Sequence, residues 1–223
     1  MMLIKKFWQW VLKNKHLLVF VLAFVVAIVA TLYATQTSWF LNVKLWASEN
    51  QLRFEFWLLV FKVIGIVWPP FPGVVLTLGA VPVLGWIPAF LIDFIGNIIG
   101  SVIAFVIAKR YGRTVVAYLV GSNITQYLSR FKFKSDRELE ALTFAFIFGG
   151  SLAEVASYIA GLSKVKFSNF VLATVISNLV LGLPLFYLFN FAVTGVNFIY
   201  GVIPIIIGVI FFWILRERYF EKE

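Results

Sequence analysis

The segment from Val63 to Arg113, VIGIVWPPFPGVVLTLGAVPVLGWIPAFLIDFIGNIIGSVIAFVIAKRYGR, constrains this chain more than any other. Its first half is apolar yet interrupted by Pro69, Pro70, Pro72, Gly73, Gly79, Pro82 and Gly85. Proline removes a backbone donor and clashes with the preceding turn, so this half cannot be one continuous helix. The second half, Trp86 to Ala108, has 23 residues and would extend about 34 Å as a helix, enough to cross a bilayer core of roughly 30 Å. A broken apolar segment beside an intact span suits a membrane only where its bends are shielded, because an unpaired amide facing hydrocarbon costs several kcal/mol. The reading is a re-entrant hairpin over about 55–85 with Pro70, Pro72 and Gly73 at its break. A surface loop between two spans is the alternative.

The rest of the chain agrees with a membrane setting. It is 62% hydrophobic and 13% charged, with a mean hydropathy of +0.97, values far from those of a soluble domain. Its 223 residues hold one membrane domain, over 17–215, and no soluble one. A formal net charge of +9 would suggest nucleic acid in a soluble protein. Here the cations flank apolar spans, where they set orientation and meet anionic headgroups, so nucleic acid is not an expected partner. With no cysteine and the single His16, neither a disulfide framework nor a thiolate or histidine metal site is available, and no cofactor is expected.

Residues 1–16 open with MMLIKKFWQWVLK, which places Leu3, Phe7, Trp10 and Val11 on one helical face and Lys6, Gln9 and Lys13 on another, the pattern of an interfacial helix. Leu17 to Ala34 reads as a retained first span, longer than a signal h-region and lacking a clear cleavage site. Thr35 to Phe54 has the Trp-rich mixed composition of a membrane face. Residues 55–68 then form a half-helix, Val74 to Leu84 a returning arm, and Trp86 to Ala108 a full span. Thr114 to Arg137 is amphipathic and lies on the surface, divided at Gly121-Ser122-Asn123. A second hairpin over about 140–163 breaks at Gly149-Gly150-Ser151. Spans Phe167 to Phe191 and Val196 to Leu215 follow, and residues 216–223 form a charged tail.

The fold class is therefore all-α and integral to the membrane, with about four full spans, two oppositely directed re-entrant hairpins and interfacial amphipathic helices. In this topology 16 of the 19 basic residues fall on the side of both termini, leaving Lys44 and Arg53 outside and Lys62 on the first hairpin. That bias marks the cytoplasmic side. Hairpins entering from opposite faces, each followed by a span, make an inverted repeat of the kind that supports alternating access around a midplane site. Similarity between the halves is slight, with Phe90 matching Phe170 and Asn97 matching Asn178.

Gly96, Gly100, Ala104 and Ala108 recur every four residues and form a smooth groove for close helix packing. On the adjoining face Asp93, Asn97 and Ser101 form a polar line, and Asp93 is the only acidic residue within a full span. An ionised carboxylate there is costly, so it calls for a proton or a cationic partner. Glu154 lies on the returning arm of the second hairpin with Ser151 one turn before it and Ser157 and Tyr158 one turn after. A transport path would draw on Asp93, Asn97, Ser101, Ser151, Glu154 and Asn178. Carboxylates do not attract phosphate; they would carry a proton, bind a headgroup amine, or hold Lys62 or water. An interfacial Asp93 and a snorkelling Glu154 are the plainer alternatives, and the sequence leaves open whether the two meet. No catalytic triad, zinc spacing, Walker loop or GxSxG elbow is present, so the chain does not read as an enzyme.

The segments FPGVVLTLGAVPVLGWIPAF, GNIIGSVIAFVIAKRYGR and SYIAGLSKVKFSNFVLATVISNLVLGLPLFY resemble the DedA family, also called the SNARE-associated or VTT-domain superfamily, and look closest to its Tvp-like bacterial branch. The resemblance covers Val63 to Phe191. It implies two opposed re-entrant hairpins and the movement of phospholipids or polyprenyl-phosphate carriers between leaflets, as by a scramblase or flippase, with proton coupling in some members. It also implies the bacterial cytoplasmic membrane, with membrane lipids as partners. The chain departs from the family in having Phe146 where many relatives place an arginine, Gly149 and Leu152 where they place prolines, and Glu154 where they place an aspartate. Some relatives also carry an aspartate at Ser101. A proton-coupled carrier of a small solute or ion, and a membrane scaffold without transport, are the competing functions. Substrate identity and oligomeric state, including a homo-oligomer, are left open.

Overall fold

In the computed structural model, the structure describes residues 26, 29–68, 71, 73–120, 138–148 and 153–194. The expected interfacial helix at 1–16, most of the first span, Pro70, Pro72, Gly149, Gly150, Ser151, the segment 121–137, the span Val196 to Leu215 and the tail lie outside these residues.

Every element among the described residues is helical. Helix α1 (Ser38–Glu49) starts at Thr37, whose hydroxyl oxygen accepts from the Phe40 amide at 3.3 Å, the ordinary N-cap arrangement. Helix α2 (Gln51–Val67) follows after one non-helical residue, Asn50, and so begins before the half-helix expected at 55–68. After a turn around Phe71 the chain doubles back as α3 (Gly73–Gly79). The two arms touch backbone to backbone: a Cβ on Gly65 would lie 2.7 Å from the Cα of Gly73. No larger residue fits that crossing.

The returning arm expected over Val74 to Leu84 is two short helices, α3 and α4 (Val81–Leu84), with a turn at Ala80. Pro82 explains the division. It has no amide to donate and its ring would strike the preceding turn, whereas at the start of a new helix both defects are tolerated. Gly85 then takes φ 85 and turns the chain into α5 (Trp86–Val120). The helix runs past the expected end at Ala108 to Gly112, which adopts φ 71 and ψ −165, so that residues 113–120 form a separate helical segment. This break falls two residues before Thr114, where the sequence reading starts a new segment.

Helices α6 (Glu138–Phe148) and α7 (Ala153–Leu162) make a second pair. Helix α8 (Phe167–Ser177), a π turn (Asn178–Gly182) and α9 (Leu183–Val193) form one long rod. The π turn sits just before Pro184, which cannot supply the α-helical bond to Val180, and a wider turn absorbs the misfit.

Helix α5 is the axis of the molecule and packs against α2, α3, α4, α7, α8 and α9. Its small-residue face is covered in two stages. Near its start, a Cβ on Gly96 would fall 2.5 Å from Cγ of Lys62, and one on Gly100 would fall 2.6 Å from Cβ of Ile66. Further along, Ala104 and Ala108 are buried beneath Tyr158, and Gly161 abuts Phe105 and Ala108. Ile87, Leu91, Ile95, Ile99 and Ile103, spaced by four on the other face, are exposed. Apolar clusters fill the two ends, with Phe90, Phe186 and Phe189 in one and Phe105, Leu142 and Phe170 in the other. The Phe105 and Phe170 rings stack at 4.5 Å.

Two helices among the described residues, over 86–119 and 167–193, are long and apolar enough to cross a bilayer. Large apolar side chains on the outside and charged groups within invert the distribution of a soluble protein.

Candidate functional site

The buried charges lie where α2, α3 and α5 meet. Lys62 is the only cation in the apolar run FWLLVFKVIGIV and is 1% exposed, while Asp93 is 3% exposed. The Lys62 Nζ stands 2.7 Å from Asp93 Oδ1. The glycine at position 96 makes this pairing possible, because the aliphatic stem of Lys62 passes over it. Asp93 thus has the cationic partner that an ionised carboxylate in an apolar helix calls for.

Two further donors reach the same carboxylate. The Thr77 hydroxyl, wholly buried on α3, donates to Oδ1 at 2.6 Å. That oxygen also lies near the carbonyls of Val74 and Gly73, at 3.0 and 3.4 Å, but it has one hydrogen and the carboxylate is nearest. Asn97 Nδ2 donates to Oδ2 at 2.7 Å and, with its other hydrogen, to Asn178 Oδ1 at 2.7 Å. Asn178 Nδ2 in turn donates to the Thr174 carbonyl at 2.8 Å. An unbroken polar chain therefore runs from α2 through α5 to α8. It ends at the first residue of the π turn, an irregularity often found at functional positions.

Of the residues expected to line a path, the structure brings together Asp93, Asn97 and Asn178. Ser101 is buried one turn beyond Asn97 and joins none of these bonds. Glu154 belongs to α7, but its side chain lies outside the described residues, as does Ser151. The partner the structure gives Asp93 is Lys62, which the sequence singled out only as a group a carboxylate would hold. Thr77 was not anticipated. Its signal was available, since it is the one hydroxyl in the arm GVVLTLGAVPVL. Among the described residues no three carboxylate or histidine side chains come together as a metal site would need.

A second link joins α7 to α2. Tyr158 on α7 is fully buried, and its hydroxyl donates to the carbonyl of Val67, the last residue of α2. It thereby satisfies one of the carbonyls that a helix end leaves without an internal partner. The neighbouring Ser157 hydroxyl is buried with no hydrogen-bond partner among the described residues.

A family model described as the VTT domain matches residues 71–191, just over half of the chain, and the matched span holds α3 to α8, all but the last two residues of α9, and every member of the polar chain except Lys62. The chain belongs to the VTT-domain family. This is the DedA, or SNARE-associated, family of membrane proteins expected from the residue pattern. Comparison with curated proteins and with solved structures gives no match. Within this VTT domain, Phe146 packs into the aromatic cluster with its ring 6.0 Å from that of Phe170. At the position where the resemblance leads one to look for arginine, the chain has built apolar contact instead.

Proposed function

We propose that this VTT-domain protein moves lipids, phospholipids or polyprenyl-phosphate carriers, between the leaflets of the bacterial cytoplasmic membrane in the manner of a scramblase or flippase. The observation that carries this reading is the polar chain Lys62–Asp93–Asn97–Asn178, buried at the ion pair and half-buried at the two asparagines, within a bundle that exposes many large apolar side chains. A headgroup crossing hydrocarbon needs a place where the cost of leaving water is lowered, and ionisable groups inside a membrane mark such paths.

The topology we assign has both termini cytoplasmic, four spans and two re-entrant hairpins. Helices α6 and α7, with 11 and 10 residues, reach only about 15–17 Å each, roughly half the hydrocarbon thickness. They also begin and end at one side of the bundle: Glu138, at the start of α6, accepts from Asn169 at 3.1 Å near the start of α8, which α7 precedes by a few residues. The contact between Asn97 and Asn178, matching positions in the two halves, suits an inverted repeat, because equivalent residues meet at its axis.

The Lys62–Asp93 pair also supports a second reading, a proton-coupled carrier of a small solute. The deciding experiment reconstitutes the protein with fluorescent phospholipid in both leaflets and bleaches from outside, with and without a pH gradient. Lipid movement predicts bleaching beyond the outer-leaflet pool. A protected pool as large as in protein-free vesicles would overturn the proposal.

A further inference from the structure

We infer that Ser157 on α7 and Ser101 on α5 hold an internal water molecule between them, which joins the polar line of α5 to α7. The inference goes beyond the lipid-moving reading and holds whether or not lipid is what moves.

Ser157 is 0% exposed and its hydroxyl has no hydrogen-bond partner among the described residues. A buried hydroxyl without a bond has given up its hydration for nothing, so it calls for a partner. Ser101, 5% exposed, joins no hydrogen bond among the described residues either. The packing of α7 on α5 turns these two groups towards each other. A Cβ on Gly161 would fall 2.4 Å from the Phe105 carbonyl oxygen and 2.7 Å from Cβ of Ala108. Ser157 lies one turn before Gly161, and Ser101 one turn before Phe105, so each stands on the contacting face of its helix. The two helices also run in the same direction. Tyr158 packs on Ala104 and Ala108, and its hydroxyl reaches Val67, next to the Ile66 that covers Gly100. Helical side chains lean towards their own N-terminus, so this reach back along α5 requires parallel helices. One turn before the Gly161 contact, the seam is therefore serine against serine.

Two hydroxyls supply two donors and four lone pairs and no charge. That set suits water, which takes about three bonds in a protein interior, whereas an ion would find no countercharge in the pair. The Tyr158 oxygen, which donates to Val67 and keeps its own lone pairs, lies at the same level of α5 and offers a further contact. Ser101 is one turn beyond Asn97, so the water carries the polar line from the Lys62–Asp93 pair on to α7.

The test is radiolytic hydroxyl-radical labelling of the full-length chain in detergent, read by mass spectrometry. Tyr158 is 0% exposed and closed to radicals from bulk solvent, but a water held beside it is split in place and oxidises the ring. Tyr118, 90% exposed, reports the bulk dose, and Phe186, 0% exposed in the apolar cluster at the other end, sets the background. Tyr158 should be oxidised above that background in the unaltered chain and fall to it in Ser157→Ala and in Ser101→Ala, with Tyr118 labelled equally throughout. The two substitutions lie on different helices, so either folded variant reads the site. Ser157→Ala should also lower the unfolding midpoint, because a bonded hydroxyl is lost. Tyr158 at background in the unaltered chain, oxidation that persists in a folded variant, or a midpoint that rises in Ser157→Ala, as removal of an unbonded hydroxyl would give, overturns the inference.

Discussion

At the scale of single residues, Lys62 and Asp93 decide most. Removing one partner of a buried ion pair strands the other, at about 3–5 kcal/mol, while replacing both is often close to neutral. Lys62→Met and Asp93→Asn should each lower the unfolding midpoint in detergent sharply, and Lys62→Met/Asp93→Asn should recover most of the loss. Additive losses would show that the pair is not energetically coupled. Gly100 admits no side chain, because Ile66 already occupies the position of its Cβ. Gly100→Leu should therefore cut membrane yield and detergent stability, and a fully stable variant would contradict the packing described. Asp93, Asn97 and the small-residue face were legible in the sequence because helical spacing orders them. That Lys62 meets Asp93 was not, because the pairing depends on how α2 folds against α5, a tertiary fact that no local spacing encodes.

At the scale of elements, the apolar arms on either side of the proline and glycine breaks were visible as helices, and their internal form was not. The division of the first returning arm at Pro82 follows from proline chemistry, yet the resulting turn at Ala80 depends on where α3 stops against α2. The break at Gly112 was hidden because Ala108, Lys109, Arg110 and Arg113 around it are good helix formers and only the backbone shows φ 71. Gly112→Ala should cost about 1–3 kcal/mol, since no L side chain is comfortable there. Thermal unfolding of the purified variant checks it. Helices α7 and α2 are tied by the bond from Tyr158 to Val67. Tyr158→Phe leaves that part-buried carbonyl without its donor and should destabilise by about 1 kcal/mol, whereas an unchanged midpoint would mean that water or another donor replaces the hydroxyl.

At the scale of the whole molecule, a polar chain runs from α2 through α5 to the π turn, by way of Asn97 and Asn178. The assigned topology predicts that single cysteines at Lys109 and Lys164 are labelled from the same face of the membrane, and one at Lys44 from the other. Labelling of Lys109 and Lys164 from opposite faces would exclude a re-entrant second hairpin. The central claim is that the buried Lys62–Asp93 centre is where lipid is handled, and it is tested most directly by the leaflet-exchange rate of the double variant Lys62→Met/Asp93→Asn. This variant removes both charges while keeping the volume and, by the argument above, most of the stability. Exchange should fall to the rate of protein-free vesicles while the unfolding midpoint stays near that of the unaltered protein. A folded double variant that exchanges lipid as fast as the unaltered protein would contradict the account.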